Sequence, residues 1–229
     1  MKMTCFLKTK ISTGLVVPAI ALWLLAGCVT GTGVTRAKHT PVVQEVPAVK
    51  GASVVRLADG RKGFVIKEVC SINDALRKDF ASAVAMLNDQ DYVNAIDLLQ
   101  KIIEQSPGVT APYINIAIAY QHTGKAEQAE GHLKTALGLV PGHPVACNQY
   151  GLLYRKSGRF KEAREIYEKA LKSFPEYYPA HRNLGILCDL YLNDPACALE
   201  HYEIYSQYMP EDRQVKMWIA DLRARLGTN

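Results

Sequence analysis

A chain of 229 residues has room for one domain, or one and a half. Its formal charge of +5 falls to +2 once Lys2, Lys8 and Lys10 are set aside with a segment expected to be removed, a balance too weak and scattered for a nucleic-acid footprint. Six cysteines, at positions 5, 28, 70, 147, 188 and 197, form no C-x-x-C pair, which argues against zinc ribbons and thioredoxin-like chemistry.

Met1 to Lys10 carries three lysines and no acid, and Ile11 to Gly27 is almost wholly apolar, ending in small residues before Cys28. This is the layout of a secretory signal. Leu25-Ala26-Gly27-Cys28 resembles the lipobox of bacterial lipoproteins. That resemblance implies a signal peptide over 1–27, diacylglycerol on the Cys28 sulfur, cleavage before Cys28 and acylation of the new amine. Several acyl chains at about 0.8 kcal/mol per buried CH₂ make a firm anchor. An ordinary cleaved signal with a chance cysteine and an uncleaved membrane helix are the alternatives; the span is short for a bilayer and contains Pro18. Val29 follows the cysteine where family members held in the inner membrane often carry Asp, so the resemblance implies the periplasmic face of the outer membrane.

Val29 to Lys50 is rich in Gly, Thr, Val and Pro without a sustained period, and reads as a disordered tether within a lipidated segment over 28–70. Ser53 to Leu57 and Phe64 to Lys67 flank an Asp59-Gly60 turn signal, so two short strands are expected. A lone hairpin is marginal in water and must lie on the helices or stay loose.

The rest, 71–229, reads as helices. Ser71-Ile72-Asn73-Asp74 places a capping residue three before an acid, a helix start. From there a 34-residue ruler fits the chain. Pro107, Pro141 and Pro175 keep this step, as do Ala95, Ala129 and Ala163, and Ala83, Ala117, Gly151 and Gly185. Units fall at about 76–109, 110–143, 144–177 and 178–211. In the fourth, Ala198, Tyr202 and Pro210 come one residue late, which places one extra residue in the turn Leu192–Pro195. Two antiparallel helices approach to about 8–10 Å only where side chains are small, which is the use of the repeated Ala or Gly. Gly124 and Gly158 suit left-handed helix ends. Val215, Trp218, Ile219, Leu222 and Leu226 form one stripe on a last helix over 212–226, a cap for the open end of the stack; an amphipathic membrane-surface helix is the rival reading.

A 34-residue period of helix pairs resembles the tetratricopeptide repeat family. The fold class expected is all-α: a superhelix of about four helix-turn-helix repeats and a capping helix, preceded by the lipid anchor, the flexible tether and a short β-hairpin. Lipobox, tether and repeats together resemble envelope tetratricopeptide lipoproteins of Gram-negative bacteria. His181-Arg182-Asn183-Leu184-Gly185 and Met217 to Leu222 look like accessory proteins of TonB-type systems, and pilus-secretin pilotins share the general plan.

No catalytic constellation is present: no H-E-x-x-H, no G-x-S-x-G and no phosphate-cradling glycine loop. The chain is therefore read as a non-enzyme without cofactor or metal, although Cys188, Cys197 and His201 would share one neighbourhood. Cys188 and Cys197 are read as two buried thiols or, in an oxidising periplasm, a disulfide across the turn; the first is the plainer reading.

In the family, positions 2, 5, 6, 9, 12 and 13 of each repeat face a bound peptide. On this sequence position 6 gives Asn115, Gln149 and Asn183, carboxamides suited to the main chain of an extended peptide. Position 9 gives Ile118, Leu152 and Ile186, an apolar column. Gln121 and Arg155 at position 12, with Asn148 and Arg182 at position 5, complete the expected groove, and Arg155, Lys156 and Arg182 favour an acidic segment. Position 5 lacks the Lys, and position 9 the Asn, of the subfamily that clamps a C-terminal carboxylate. Ordinary packing with a solvated polar face is the competing reading. The function expected is a scaffold or adaptor for an envelope complex, with a protein or peptide partner in the groove, the membrane reached through the lipid, and no nucleic acid. A structural or assembly lipoprotein of the outer membrane, pilotin-like and acting outside the groove, is the alternative.

Overall fold

The computed structural model describes residues 53–56, 64–68 and 72–227. Cys28, the signal, the tether, the Asp59-Gly60 turn and Ser71 lie outside these residues.

Nine helices are found among the described residues: α1 (Asp74–Asn88), α2 (Tyr92–Gln105), α3 (Thr110–His122), α4 (Ala126–Leu139), α5 (Pro144–Lys156), α6 (Phe160–Ser173), α7 (Tyr178–Leu190), α8 (Pro195–Tyr208) and α9 (Arg213–Leu226). They form four antiparallel pairs closed by α9. The first helices of the second, third and fourth pairs open at 110, 144 and 178, where the ruler places them. α1 opens earlier than the first repeat boundary, and the cap in use is Asn73, whose Oδ1 accepts from the Leu76 N–H at 2.8 Å. An extended backbone at Asn73 aims its short side chain at the exposed amides of the first turn.

Each turn inside a pair needs one left-handed residue. Gly124 and Gly158 supply it in the middle repeats, while Gln90 (φ 63°) and Asn193 (φ 50°) take it in the first and fourth. The fourth turn has one residue more than the others, as the late landmarks require. Gln90 carries the Cβ penalty of that conformation, so Gln90→Gly is expected to raise stability by up to about 1 kcal/mol in urea melts.

The crossing inside each pair trades size between helices. Ala83 and Ala117 stand in register with Leu99 and Leu133, whereas Gly151 and Gly185 stand opposite Tyr167 and Tyr202, and all eight are buried. A Cβ built on Gly151 would lie 2.4 Å from Tyr167 Cε1, and one on Gly185 2.5 Å from Tyr202 Cε1. The smaller residue is thus required by the larger ring. Gly151→Ala should destabilise the domain by about 1–2 kcal/mol, overpacking outweighing the better helix former. Adding Tyr167→Leu, which rebuilds the pairing of the second repeat, should recover much of the loss in the same melts.

The cap closes the stack with most of the expected apolar stripe, but Leu226, at the end of α9, is exposed. Val215, Ile219 and Leu222 are buried against the last pair, and Trp218 lies 5.1 Å from Tyr202, ring to ring. Tyr205 Oη donates to Asp212, whose other oxygen accepts from the Val215 N–H at the start of α9. No helix among the described residues is long and apolar enough to cross a membrane.

Ahead of the helices, β1 (Ser53–Arg56) and β2 (Phe64–Lys67) pair antiparallel, with Val54 opposite Ile66 and Val55 opposite Val65.

Candidate functional site

Successive first helices touch, α1 to α3, α3 to α5 and α5 to α7, while successive second helices do not. The stack therefore curves toward the first helices, and their free faces line its concave side.

That face is less open than the sequence suggests. Asn115 is buried, and its Nδ2 donates to the Ala111 carbonyl one turn back at 2.9 Å. Asn183 Nδ2 donates to Asn148 Oδ1 at 3.0 Å, joining α7 to α5. Of the three carboxamides expected to greet a peptide, Gln149 alone has none of these internal bonds. Ile186 is buried; Ile118 and Leu152 are half-buried beside it. Arg182 turns to the cap: its Nε is 3.9 Å from Asp212, its Nη2 is 3.5 Å from Gln214 Oε1, and the guanidinium lies 5.4 Å from the Trp218 ring centre. It serves the end of the stack, where it was expected to favour an acidic ligand.

Arg155 and Gln121 share position 12 of successive repeats and share a second property. Arg155 Nε and both polar atoms of the Gln121 amide are buried without a hydrogen-bond partner among the described residues. The Arg155 guanidinium stands 5.7 Å from the Tyr191 ring, which tilts against Phe160 at 4.8 Å. Burial, then the neighbouring Arg155, hold the Lys156 amine below its ordinary range. Burial and the Lys156 charge also lower His122, whose ring stacks on Tyr92 at 4.4 Å. This end of the concave face thus gathers cations and aromatic rings, and it ends in Leu190, which is 68% exposed.

The other end holds what the sequence reading missed. Val109 stands at the N-cap before α3 and provides no capping side chain. The Glu68 carboxylate does so instead, accepting from the Thr110 N–H at 2.8 Å and from its hydroxyl. Burial raises the Glu68 pKa, and the two Thr110 bonds oppose that rise. The signal was a helix start without Ser, Thr, Asp or Asn; nothing local names a partner 42 residues away.

Cys188 and Cys197 are joined sulfur to sulfur between α7 and α8. Asp194 is close to both, but it caps α8 through the Cys197 N–H and faces Arg164. His201 points elsewhere, to His181, with the two Nδ1 atoms 3.0 Å apart. His181 Nε2 is 2.7 Å from the Pro175 carbonyl and must carry a proton, so in the neutral pair His201 donates through its Nδ1–H.

Two family models described as tetratricopeptide repeat match the chain, over residues 79–108 and 108–176. Residues 79–176 therefore carry tetratricopeptide repeats. Among curated relatives of this repeat protein, the probable UDP-N-acetylglucosamine–peptide N-acetylglucosaminyltransferase SPINDLY of Petunia hybrida is 29% identical over 145 residues. Those residues are 63% of this chain but 14% of that protein, so the match spans only a small part of the longer molecule. The Photosystem I assembly protein Ycf3 of Prochlorococcus marinus is 28% identical over 116 residues, 43% of this chain and 67% of its own. Among solved structures, PilF of Pseudomonas aeruginosa superposes with a TM-score of 0.61 at 22% identity, covering 66% of this chain and 69% of that one. MamA of Desulfovibrio magneticus superposes at 0.57 and 18%, covering 69% and 89%. These structural likenesses speak for the repeat fold alone.

Proposed function

We propose that this repeat protein is a lipid-anchored scaffold of the bacterial envelope, whose concave face gathers a protein partner. Tetratricopeptide repeats imply protein–protein interaction. The observation that carries the reading is the unspent part of that face: Gln149 makes none of the internal bonds that hold Asn115 and Asn183, Leu152 is half-buried, and Arg155 Nε is buried without a hydrogen-bond partner among the described residues. Leu25-Ala26-Gly27-Cys28 supports the anchor and, with Val29, the periplasmic side of the outer membrane. A site of this kind would bury of order 800 Å² on the scaffold, enough for micromolar or tighter binding according to its anchors.

Replacing Gln149→Ala and Leu152→Asp together should release the partner cross-linked to the protein in intact cells. Unchanged capture would take the concave face out of the account. The anchor has its own test: mass analysis of the N-terminal peptide from membranes should find Cys28 carrying acyl chains, and an unmodified Cys28 would leave a scaffold without a lipid.

A further inference from the structure

The β1–β2 pair packs on the helical stack through one side of its ladder. Val54 and Ile66 form one cross-strand pair and share one side of the ladder. Both pack against the core cluster formed by Tyr113, Ile114, Ala136, Leu139, Val140 and Ala146, as do Ile118 and Val145. Val54 also packs against the cluster to which Ile186 of α7 belongs. One valine thus packs against two clusters, one built from α3, α4 and the start of α5, the other running from α6 to the cap. Ile114 is only 3% exposed, although it faces the concave side. The alternate pair, Val55 and Val65, belongs to the other side of the ladder, where Val55 is 37% exposed. Two residues past the Ile66 contact, Glu68 caps α3 through Thr110.

We propose that this strand pair, with Glu68, is a resident ligand of the chain's own groove, and that the partner segment has the same chemistry. It would be extended, with aliphatic side chains at alternate positions and a carboxylate that reaches the amide end of α3. The inference rests on the scaffold reading and specifies its partner. An extended segment suits the place because period-two side chains meet a surface of successive helices at regular steps. A carboxylate suits the Thr110 end because a helix start offers unpaired N–H groups and a favourable dipole. Tethering gives the resident pair an effective concentration of order millimolar, so a partner must bind better than the pair does or arrive with further contacts. Two strands alone are marginal in water, so the displaced pair keeps little structure and returns when the partner leaves.

The test uses the full mature chain and a fluorescein-labelled synthetic peptide of residues 51–69. In a Val54→Asp, Ile66→Asp chain the peptide should bind about tenfold or more tighter than in the unsubstituted chain, since its site has been vacated. A peptide carrying Glu68→Gln should bind the same chain more weakly. Equal affinity of the two chains for the peptide, including no binding by either, overturns the exchange. The second measurement labels, with a maleimide and peptide-resolved mass, the thiol introduced by Ile114→Cys. It should react about tenfold faster when the aspartates are present, while the buried Cys147 stays protected and reports an intact fold. Unchanged labelling at position 114 overturns the seating of the strands in the groove. Neither measurement uses a cellular partner, so failure here is distinct from failure of the Gln149 and Leu152 capture.

Discussion

Acidifying the protein from pH 7 to about pH 4 is expected to remove about 3 kcal/mol of stability through His143. This side chain precedes α5 and is 5% exposed; its Nδ1 accepts from the Ala146 N–H at 3.4 Å, capping the helix. Burial pushes its pKa down to about 4, against an opposing backbone hydrogen bond. An unfolded histidine titrates near 6.5, so between that value and about 4 the unfolded chain binds the extra proton. Stability therefore rises with pH across that window and is lost as pH falls through it, by about 1.4 kcal/mol per unit while the difference in bound protons lasts. Burial lowers His132, His181 and His201 as well, adding losses of the same sign. Urea melts at pH 7 and pH 4.5 should show the fall. His143→Asn keeps a capping acceptor but cannot titrate, and should flatten the profile. An unchanged slope in that variant would mean that His143 is not held neutral by the fold.

Opening the Cys188–Cys197 link is expected to cost about 2–3 kcal/mol, the chain-entropy value for a short closed loop. The two cysteines are nine residues apart and bracket the one turn that carries an extra residue. At about 2–4 °C per kcal/mol for a domain of this size, Cys188→Ser with Cys197→Ser should melt about 5–10 °C lower. The loss should be local as well as global. The link ties α7 to α8, and α8 is the element on which the cap α9 rests, so amide exchange should rise in α7 to α9 before it rises in α3 to α5. A double variant that melts with the parent would show that the pair contributes nothing to the fourth repeat.

The repeat architecture was legible because it is local. A helix pair writes its period in Pro, Ala and Gly within 34 residues, and even the extra residue of the fourth turn shows as a slip in the spacing of Ala198, Tyr202 and Pro210. The size trade was half legible. Ala or Gly marks the crossing, but the reason Gly replaces Ala at 151 and 185 lies in the tyrosines a helix away. The concave face was the least legible part. Position numbers assign Asn115, Asn183 and Arg182 to it, yet an asparagine can bond one turn back, as Asn115 does, or to the next repeat, as Asn183 does with Asn148. Arg182 stands at the last repeat, where the cap supplies Asp212 and Trp218 and captures it. The seating of Val54, Ile66 and Glu68 depends on contacts far apart in the chain, which no periodicity records.

The scaffold claim is tested most directly by placing a photo-reactive amino acid in intact cells at Gln149, on the concave side, and in a second strain at Glu165, exposed on α6. The account predicts a discrete protein adduct from position 149, lost when Leu152→Asp is added, and none of the same mass from position 165. The same adduct from both positions, or from position 165 alone, would contradict it.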